Sequence, residues 1–159
     1  MTVATVSYQQ EALVVVWEEI QALLREHWAQ VWLDHARLPL VIHKEAYDLL
    51  ELSGRLVVVT MRVEEELQGY VVAMLAHHLH SCEVLCAHID LWYVAQHARQ
   101  GLVGVWLLKR AIQVLRDKGV QRISIGIPPQ AGLASVLRRL GAEPIETVWA
   151  LWTDEDTPA

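Results

Sequence analysis

The stretch from Asp90 to Gly119 constrains this chain more than any other. An apolar run, Asp90-Leu91-Trp92-Tyr93-Val94, leads into a polar turn containing Arg99-Gln100-Gly101-Leu102-Val103-Gly104. The turn opens directly into a segment where Val105, Leu108, Ile112 and Leu115 recur at three- and four-residue spacing. The run reads as a strand and the spacing predicts a helix, ended by Gly119 as a left-handed cap. A turn with two glycines at the mouth of a helix suits an anion. Small residues let backbone N–H groups approach it, and the helix N-terminus adds partial positive charge. Arg99 at the entrance supplies a further charge-assisted contact.

At 159 residues the chain fits a single domain, 1–159, that buries roughly two-thirds of its unfolded surface. Hydrophobic residues make up 53% and charged residues 20%, a composition that builds a core. The formal charge of −6 argues against nucleic acid as a partner and favours a cationic one, such as an amine. No apolar run approaches the roughly 18–20 residues that span a membrane, so no membrane partner is expected. The first ten residues lack a basic stretch followed by an apolar core, so no secretory signal is visible. Cys82 and Cys86 make no disulfide framework and read as reduced thiols in a cytoplasmic protein.

Along the chain, Thr2 to Tyr8 alternates weakly and reads as a first strand. Leu13, Trp17, Ile20, Leu24, Trp28 and Val31 form an amphipathic helix, and His43 to Leu52 a second, stopped at Ser53-Gly54. Arg55 to Val63, Leu67 to His80 and Val84 to Val94 read as an antiparallel meander, with Glu64-Glu65-Glu66 as a solvated turn. After the glycine turn and its helix come a strand at Arg122 to Ile127, a break at Pro128-Pro129 and a helix at Ala131 to Leu140. Pro144 to Trp152 is expected as a final strand, followed by a frayed acidic tail from Asp154.

The Arg99–Gly104 turn, between its strand and helix, resembles the acyl-CoA-binding motif of the GNAT superfamily of N-acyltransferases. In that family, R/Q-x-x-G-x-G/A follows a strand and opens a helix. Arg99 and Gly104 stand at its first and last positions, Leu102 replaces the middle glycine, and a glycine appears one residue earlier, at Gly101. The order of elements is similar to the GNAT fold from end to end. The resemblance implies an α/β (α+β) architecture, a mostly antiparallel sheet flanked by about four helices, with a splayed strand pair that binds acyl-CoA. It implies that Leu91, Trp92, Tyr93 and Val94 hold pantetheine through their main chain. Arg99, Gln100, Gly101, Leu102, Val103 and Gly104 would hold the pyrophosphate. The implied reaction takes the acetyl group from acetyl-CoA to a primary amine of a small molecule or protein, by direct attack in a ternary complex. Many members carry a tyrosine that protonates the departing thiolate, and Leu137 stands in its place. With Leu102, this leaves open a second reading: a non-catalytic acyl-CoA-binding or interaction module. A homodimer is also open.

An amine must be neutral to attack, so a base is useful. His88 and Asp90 lie two apart on one strand and are expected on one face. The position is similar to that of a paired His-x-His in some family members, the serotonin N-acetyltransferases among them. Asp90 is the first candidate base and His88 the second, with hydrogen bonding to nearby backbone as the structural alternative for Asp90. His77, His78, His80, Cys82, Cys86 and His88 invite a zinc reading. Alternation divides His77 from His78, however, and the ligand pairs of zinc fingers are absent, so no metal is expected. Trp28, Trp32, Asp34, His35 and Glu45 are candidates to line the acceptor site.

Overall fold

Five strands form one sheet in the order of the sequence: β1 (Val6–Gln10), β2 (Leu56–Val63), β3 (Glu66–His78), β4 (Ser81–Val94) and β5 (Arg122–Ile125). The first four run antiparallel and β5 pairs parallel with β4. The helices are α1 (Leu13–Val31), α2 (Lys44–Leu52), α3 (Val103–Asp117) and α4 (Ala134–Arg139). The computed structural model describes residues 5–32, 36–128 and 131–153.

Two apolar layers hold the sheet between helices. Leu13, Val16, Ile20, Leu23 and Leu24 on α1 bury against Val58, Tyr70, Val72, Leu91 and Tyr93. Leu107, Leu108, Ala111, Val114 and Leu115 on α3 bury against Val57, Val59, Met61, Val71, Ala73 and Ile89 on the other face. Val57, Val58 and Val59 are therefore all buried, which is why β2 reads as a continuous apolar run and not as an alternation. Helix α2 does more than cover the first face. Ala12 offers α1 no side-chain cap, and the Glu51 carboxylate on α2 instead accepts from the backbone N–H groups of Leu13 and Val14. These are N–H groups the helix cannot satisfy by itself, and a negative charge there also suits its dipole.

The hairpin between β2 and β3 turns at Glu64 and Glu65, whose φ angles of 49° and 72° lie in the left-handed region. The register shifts beside it, where Met61 faces Gly69 and Arg62 faces Leu67 so that Gln68 of β3 is the extra residue; Arg62, alternating with Val58 and Thr60 on the α1 side, is 8% exposed.

The expected strand at Pro144–Trp152 is not formed. Residues 144–152 are irregular, Ile145, Val148, Trp149 and Leu151 are exposed, and the sheet has five strands where the sequence suggested six. Apolar alternation reports only that a segment suits a half-buried surface, while pairing is settled by tertiary contacts. Among the described residues this stretch forms no ladder with β5, whose one strand partner is β4. Its Trp152 lies instead beneath the Arg37 guanidinium, 4.0 Å from ring centre to cation, at the connection between α1 and α2. β5 ends at Ile125, two residues earlier than expected, and α4 begins only at Ala134. The first strand is Val6–Gln10, shifted from the expected Thr2–Tyr8, whose first three residues lie outside the described ones, as does the tail from residue 154. No helix among the described residues is long and apolar enough to cross a membrane.

Candidate active site

The geometry of the site follows from how β4 ends. β5 accompanies it only from Cys86 to Ile89, while β3 follows it on to Val94. Among the described residues, Leu91–Val94 therefore has a strand neighbour on one side alone, which leaves a gap in the ladder on the other. A bulge sits at the point of parting: Ala73 faces Ile89 and Val72 faces Leu91, so Asp90 is the extra residue. Bulges bend a strand and sharpen its twist. Here the bulge also reverses side-chain facing, because Ile89 joins the α3 layer while Leu91 joins the α1 layer. The reversal falls between Ile89 and Leu91; His88 pairs with Met74 and the Asp90 charge reaches Tyr47, both packed on the α1 layer.

Beyond Val94 a single 3-10 turn, Gln96–Ala98, leads through Arg99 to Leu102 into α3. Gly101 has φ +55°, and an added Cβ would meet nothing within 4 Å, so backbone conformation and not crowding selects glycine there. Gly104 lies in the first turn of α3. A Cβ there would meet the Val94 side chain at 3.6 Å and the Trp92 indole nitrogen at 4.0 Å, both ordinary contacts. The protein's own packing does not require Gly104, and an open helix mouth is what a phosphate would use. Leu102, at the N-cap, offers no side-chain cap and is exposed. Trp92 closes one wall by donating from Nε1 to the Gly104 carbonyl at 3.2 Å. The mouth of α3 thus has no side-chain cap and stands behind glycines, an arrangement that suits an anion.

Arg99 takes a position that the sequence did not foretell. Its Nε donates to the Val94 carbonyl at 2.8 Å and its Nη2 to Gln30 Oε1 on α1 at 3.3 Å. The guanidinium also lies 5.2 Å from the centre of the Tyr93 ring. The Tyr93 hydroxyl donates to Glu26 Oε1 at 2.7 Å and lies 3.0 Å from Gln30 Oε1. Burial, and then the Glu26 carboxylate, hold that phenol well above its usual range, so it stays protonated and committed to Glu26.

Under this network His27 is 4% exposed, stacked on Tyr93 at 4.5 Å and hydrogen-bonded through Nδ1 to the Tyr70 hydroxyl at 2.8 Å. Burial, with a smaller contribution from the Arg99 charge, pushes its pKa from 6.5 down to about 4. A histidine held neutral in the fold takes up its proton more readily when unfolded. Stability is therefore full above pH 6.5 and falls between 6.5 and 4, by about 3 kcal/mol over that window. His27→Gln keeps a hydrogen-bonding partner for Tyr70 and does not titrate. Denaturant unfolding of the variant should show a markedly shallower loss across this window than the parent, and parallel profiles would contradict the assignment.

Asp90 is exposed at the bulge, close enough to Tyr47 of α2 for its charge to act there. Burial raises the Tyr47 phenol and the Asp90 carboxylate raises it further. His88 is exposed on β4 and shares a 3.0 Å hydrogen bond with Ser124 of β5. Leu137 is part of the apolar groove between α3 and α4, with Ile112, Val120 and Leu140. Trp28 and Trp32 stack at 4.5 Å, with the Trp28 indole bonded to the Leu38 carbonyl at 2.8 Å. Glu45 is exposed in the first turn of α2, and Asp34 and His35 lie outside the described residues. At the β3–β4 hairpin His78 and His80 lie 5.9 Å apart. No three His, Cys, Asp or Glu side chains among the described residues come together as metal ligands.

A gap beside β4 followed by a glycine turn at a helix mouth defines an acyl-CoA-dependent acyltransferase fold. The model of the acetyltransferase (GNAT) family matches residues 17–142, and the chain belongs to that family. It is an N-acetyltransferase that uses acetyl-CoA as cosubstrate. No curated protein matches the chain. Among solved structures it is similar to an aminoglycoside acetyltransferase from an uncultured soil metagenomic sample, at 13% identity, with 94% of this chain and 99% of the other covered and a TM-score of 0.75. It is also similar to the aminoglycoside N-acetyltransferase AAC(6')-Iy in complex with CoA, at 17% identity, 96% and 97% coverage and a TM-score of 0.71. A third similar structure is the ribosomal-protein-alanine N-acetyltransferase of Brucella melitensis biovar Abortus 2308, at 15% identity, 93% and 99% coverage and a TM-score of 0.68.

Proposed function

We propose that this chain transfers acetyl from acetyl-CoA to a primary amine, by direct attack within a ternary complex in the cytoplasm. The observation that carries the reading is the unaccompanied end of β4 running into a glycine turn at the uncapped mouth of α3. Similar folds named for aminoglycoside and ribosomal-protein acetylation support an amine acceptor, and the net charge of −6 favours a cationic one.

The thioester supplies an activated acetyl group. Backbone groups of Leu91–Val94 orient the pantetheine arm, and an N–H there steadies the carbonyl oxygen as charge gathers on it. Gln100–Gly104 hold the pyrophosphate. Asp90 accepts the ammonium proton, directly or through water, so that nitrogen bonds to the acetyl carbon as the carbon–sulfur bond breaks. The second N–H proton leaves to water as the amide forms, and the thiolate takes its proton from that water, since Leu137 has none to give and the Tyr93 hydroxyl is engaged by Glu26.

Coenzyme A at about 100 times its Kd should stabilise the fold by about 2.7 kcal/mol, read as a raised melting temperature. Gly104→Val should weaken that binding at least about tenfold, because its methyl groups occupy the phosphate's approach while the parent packing leaves room for a Cβ. Full affinity in the variant would remove the cradle from the reading. The Leu137 position also supports a second function, acyl-CoA binding without transfer. Binding without thiol release across a panel of amines would establish it.

A further inference from the structure

The first residue of the phosphate turn carries its only side-chain cation, yet that cation is spent on the protein itself. Arg99 bonds the last carbonyl of β4 and Gln30 of α1, and it lies over Tyr93. The helix completes the grip with neighbouring residues. Glu26 accepts from Tyr93 and, at 3.5 Å, from the Gln96 backbone, Gln30 Nε2 donates to Glu26 at 3.1 Å, and His27 stacks on Tyr93. Apart from the Gln30–Glu26 bond within α1, each of these contacts has Tyr93, Val94, Gln96 or Arg99 on one side, where the chain turns out of β4 towards α3.

We propose that Arg99 is a positioning residue: through Gln30 and the Val94 carbonyl it ties the phosphate turn to α1 and sets the angle at which β4 delivers it to the cofactor. This rests on the acyl-CoA reading above. Inside the turn the ties are local backbone bonds, Gln100 N–H to the Ala98 carbonyl at 2.9 Å and Val103 N–H to the Gln100 carbonyl at 3.4 Å, while Arg99 and the Gln96–Glu26 bond reach across to α1. Gly101 adopts a left-handed φ in open space, and Arg99, Gln100 and Leu102 are exposed. A turn free to swing would present its N–H groups to a phosphate only part of the time, and apparent affinity falls by the fraction that is competent.

The geometry separates this role from a direct ionic contact. A cation touching phosphate is replaced in large part by lysine, whereas an ammonium cannot reproduce a planar fork reaching two acceptors in different elements. The variants are Arg99→Lys, Arg99→Ala, Gln30→Ala and the double variant Arg99→Ala/Gln30→Ala. Each is titrated calorimetrically with coenzyme A and followed by hydrogen exchange without ligand. Each single variant should lose about tenfold in affinity, lysine should not rescue, and the double variant should lose little more than the worse single one. Backbone exchange from residue 98 to 103 should quicken in all of them while the strands stay protected. With turnover assayed, KM for acetyl-CoA should rise and kcat should hold.

Parental affinity in Gln30→Ala, or rescue by Arg99→Lys, would overturn the clamp and return Arg99 to the phosphate. Unchanged exchange in the turn would overturn it as well. If the parent itself bound no coenzyme A, the acyl-CoA reading would fall, and this role for Arg99 with it. A parent that binds beside an indifferent Gln30→Ala would defeat the clamp alone.

Discussion

Asp90→Asn should slow acetyl transfer by roughly 10²-fold or more while leaving coenzyme A affinity close to that of the parent. The substitution keeps size and hydrogen-bonding capacity and removes the proton acceptor. Two features make Asp90 the stronger of the two candidate bases. It is the extra residue of the bulge, so it stands exposed where β4 parts from β5, beside the edge proposed above to receive the thioester. His88 lies one step back along the paired part of the strand and is already engaged by Ser124. The pH profile gives the sharper readout. Whatever part of the pH dependence of kcat/KM belongs to the base should vanish in Asp90→Asn along with the rate. Tyr47→Phe serves as the neighbouring control, because its phenol feels the Asp90 charge and sits above its usual pKa range. A variant with the parental rate and profile would reduce Asp90 to a strand-bending residue, and His88→Gln would then be the next variant to assay.

The strand–turn–helix unit was legible because its signals are local. Glycine at a left-handed turn, apolar spacing along α3 and a glycine stop each act within a few residues, and Gly101 and Gly119 do adopt positive φ. What escaped the sequence depends on contacts between distant elements. His27 continues the spacing of buried Leu13, Val16, Ile20 and Leu23, but a sequence reading that places the apolar Trp28 on the stripe passes over the histidine beside it, and nothing within α1 names its partners Tyr70 and Tyr93. Arg99 was read as a phosphate ligand from its place in a motif, while its bonds run to Gln30, 69 residues earlier. The bulge at Asp90 left one trace. Leu91-Trp92-Tyr93-Val94 is apolar without alternation, as expected of a strand end covered on both faces. The segment 144–152 shows the reverse error, since a strand-like pattern cannot supply its own partner.

Arg62→Leu should be the most damaging single change to the fold, at roughly 3 kcal/mol, the low end of what breaking a buried ion pair costs. All of its N–H groups are used. Nε and Nη2 donate to Glu11 at 3.0 and 3.2 Å, Nη1 and Nη2 to Glu19 at 2.8 Å each, and Nη1 to the Glu65 carbonyl at 2.7 Å. The side chain thereby joins β2 to Glu11 just ahead of α1, to Glu19 within α1 and to the β2–β3 turn. Leucine would fill part of the space and strand two carboxylates. The loss stays at the low end because the Glu19 side chain is 44% exposed and water can take over its charge.

The pH dependence makes the mechanism checkable. For Glu11, burial alone would raise the pKa, but the bonds from Arg62 and Thr60 carry it below 4.5; for Glu19 the Arg62 bonds lower it directly. Folded-state values below the unfolded one mean that the stability is fully present above about pH 4.5 and is lost as pH falls through the folded values. In Arg62→Leu both carboxylates lose what depressed them, and protonation relieves the two stranded charges. The gap between parent and variant should therefore be widest near neutrality and narrow in acid below pH 4.5, a window lower than the one assigned to His27. Adding Glu11→Leu should recover part of the lost stability at pH 7, since an apolar pair leaves less uncompensated charge than a lone glutamate. A gap independent of pH, with no recovery in the double variant, would mean that Arg62 contributes through packing of its stem and not through its charge.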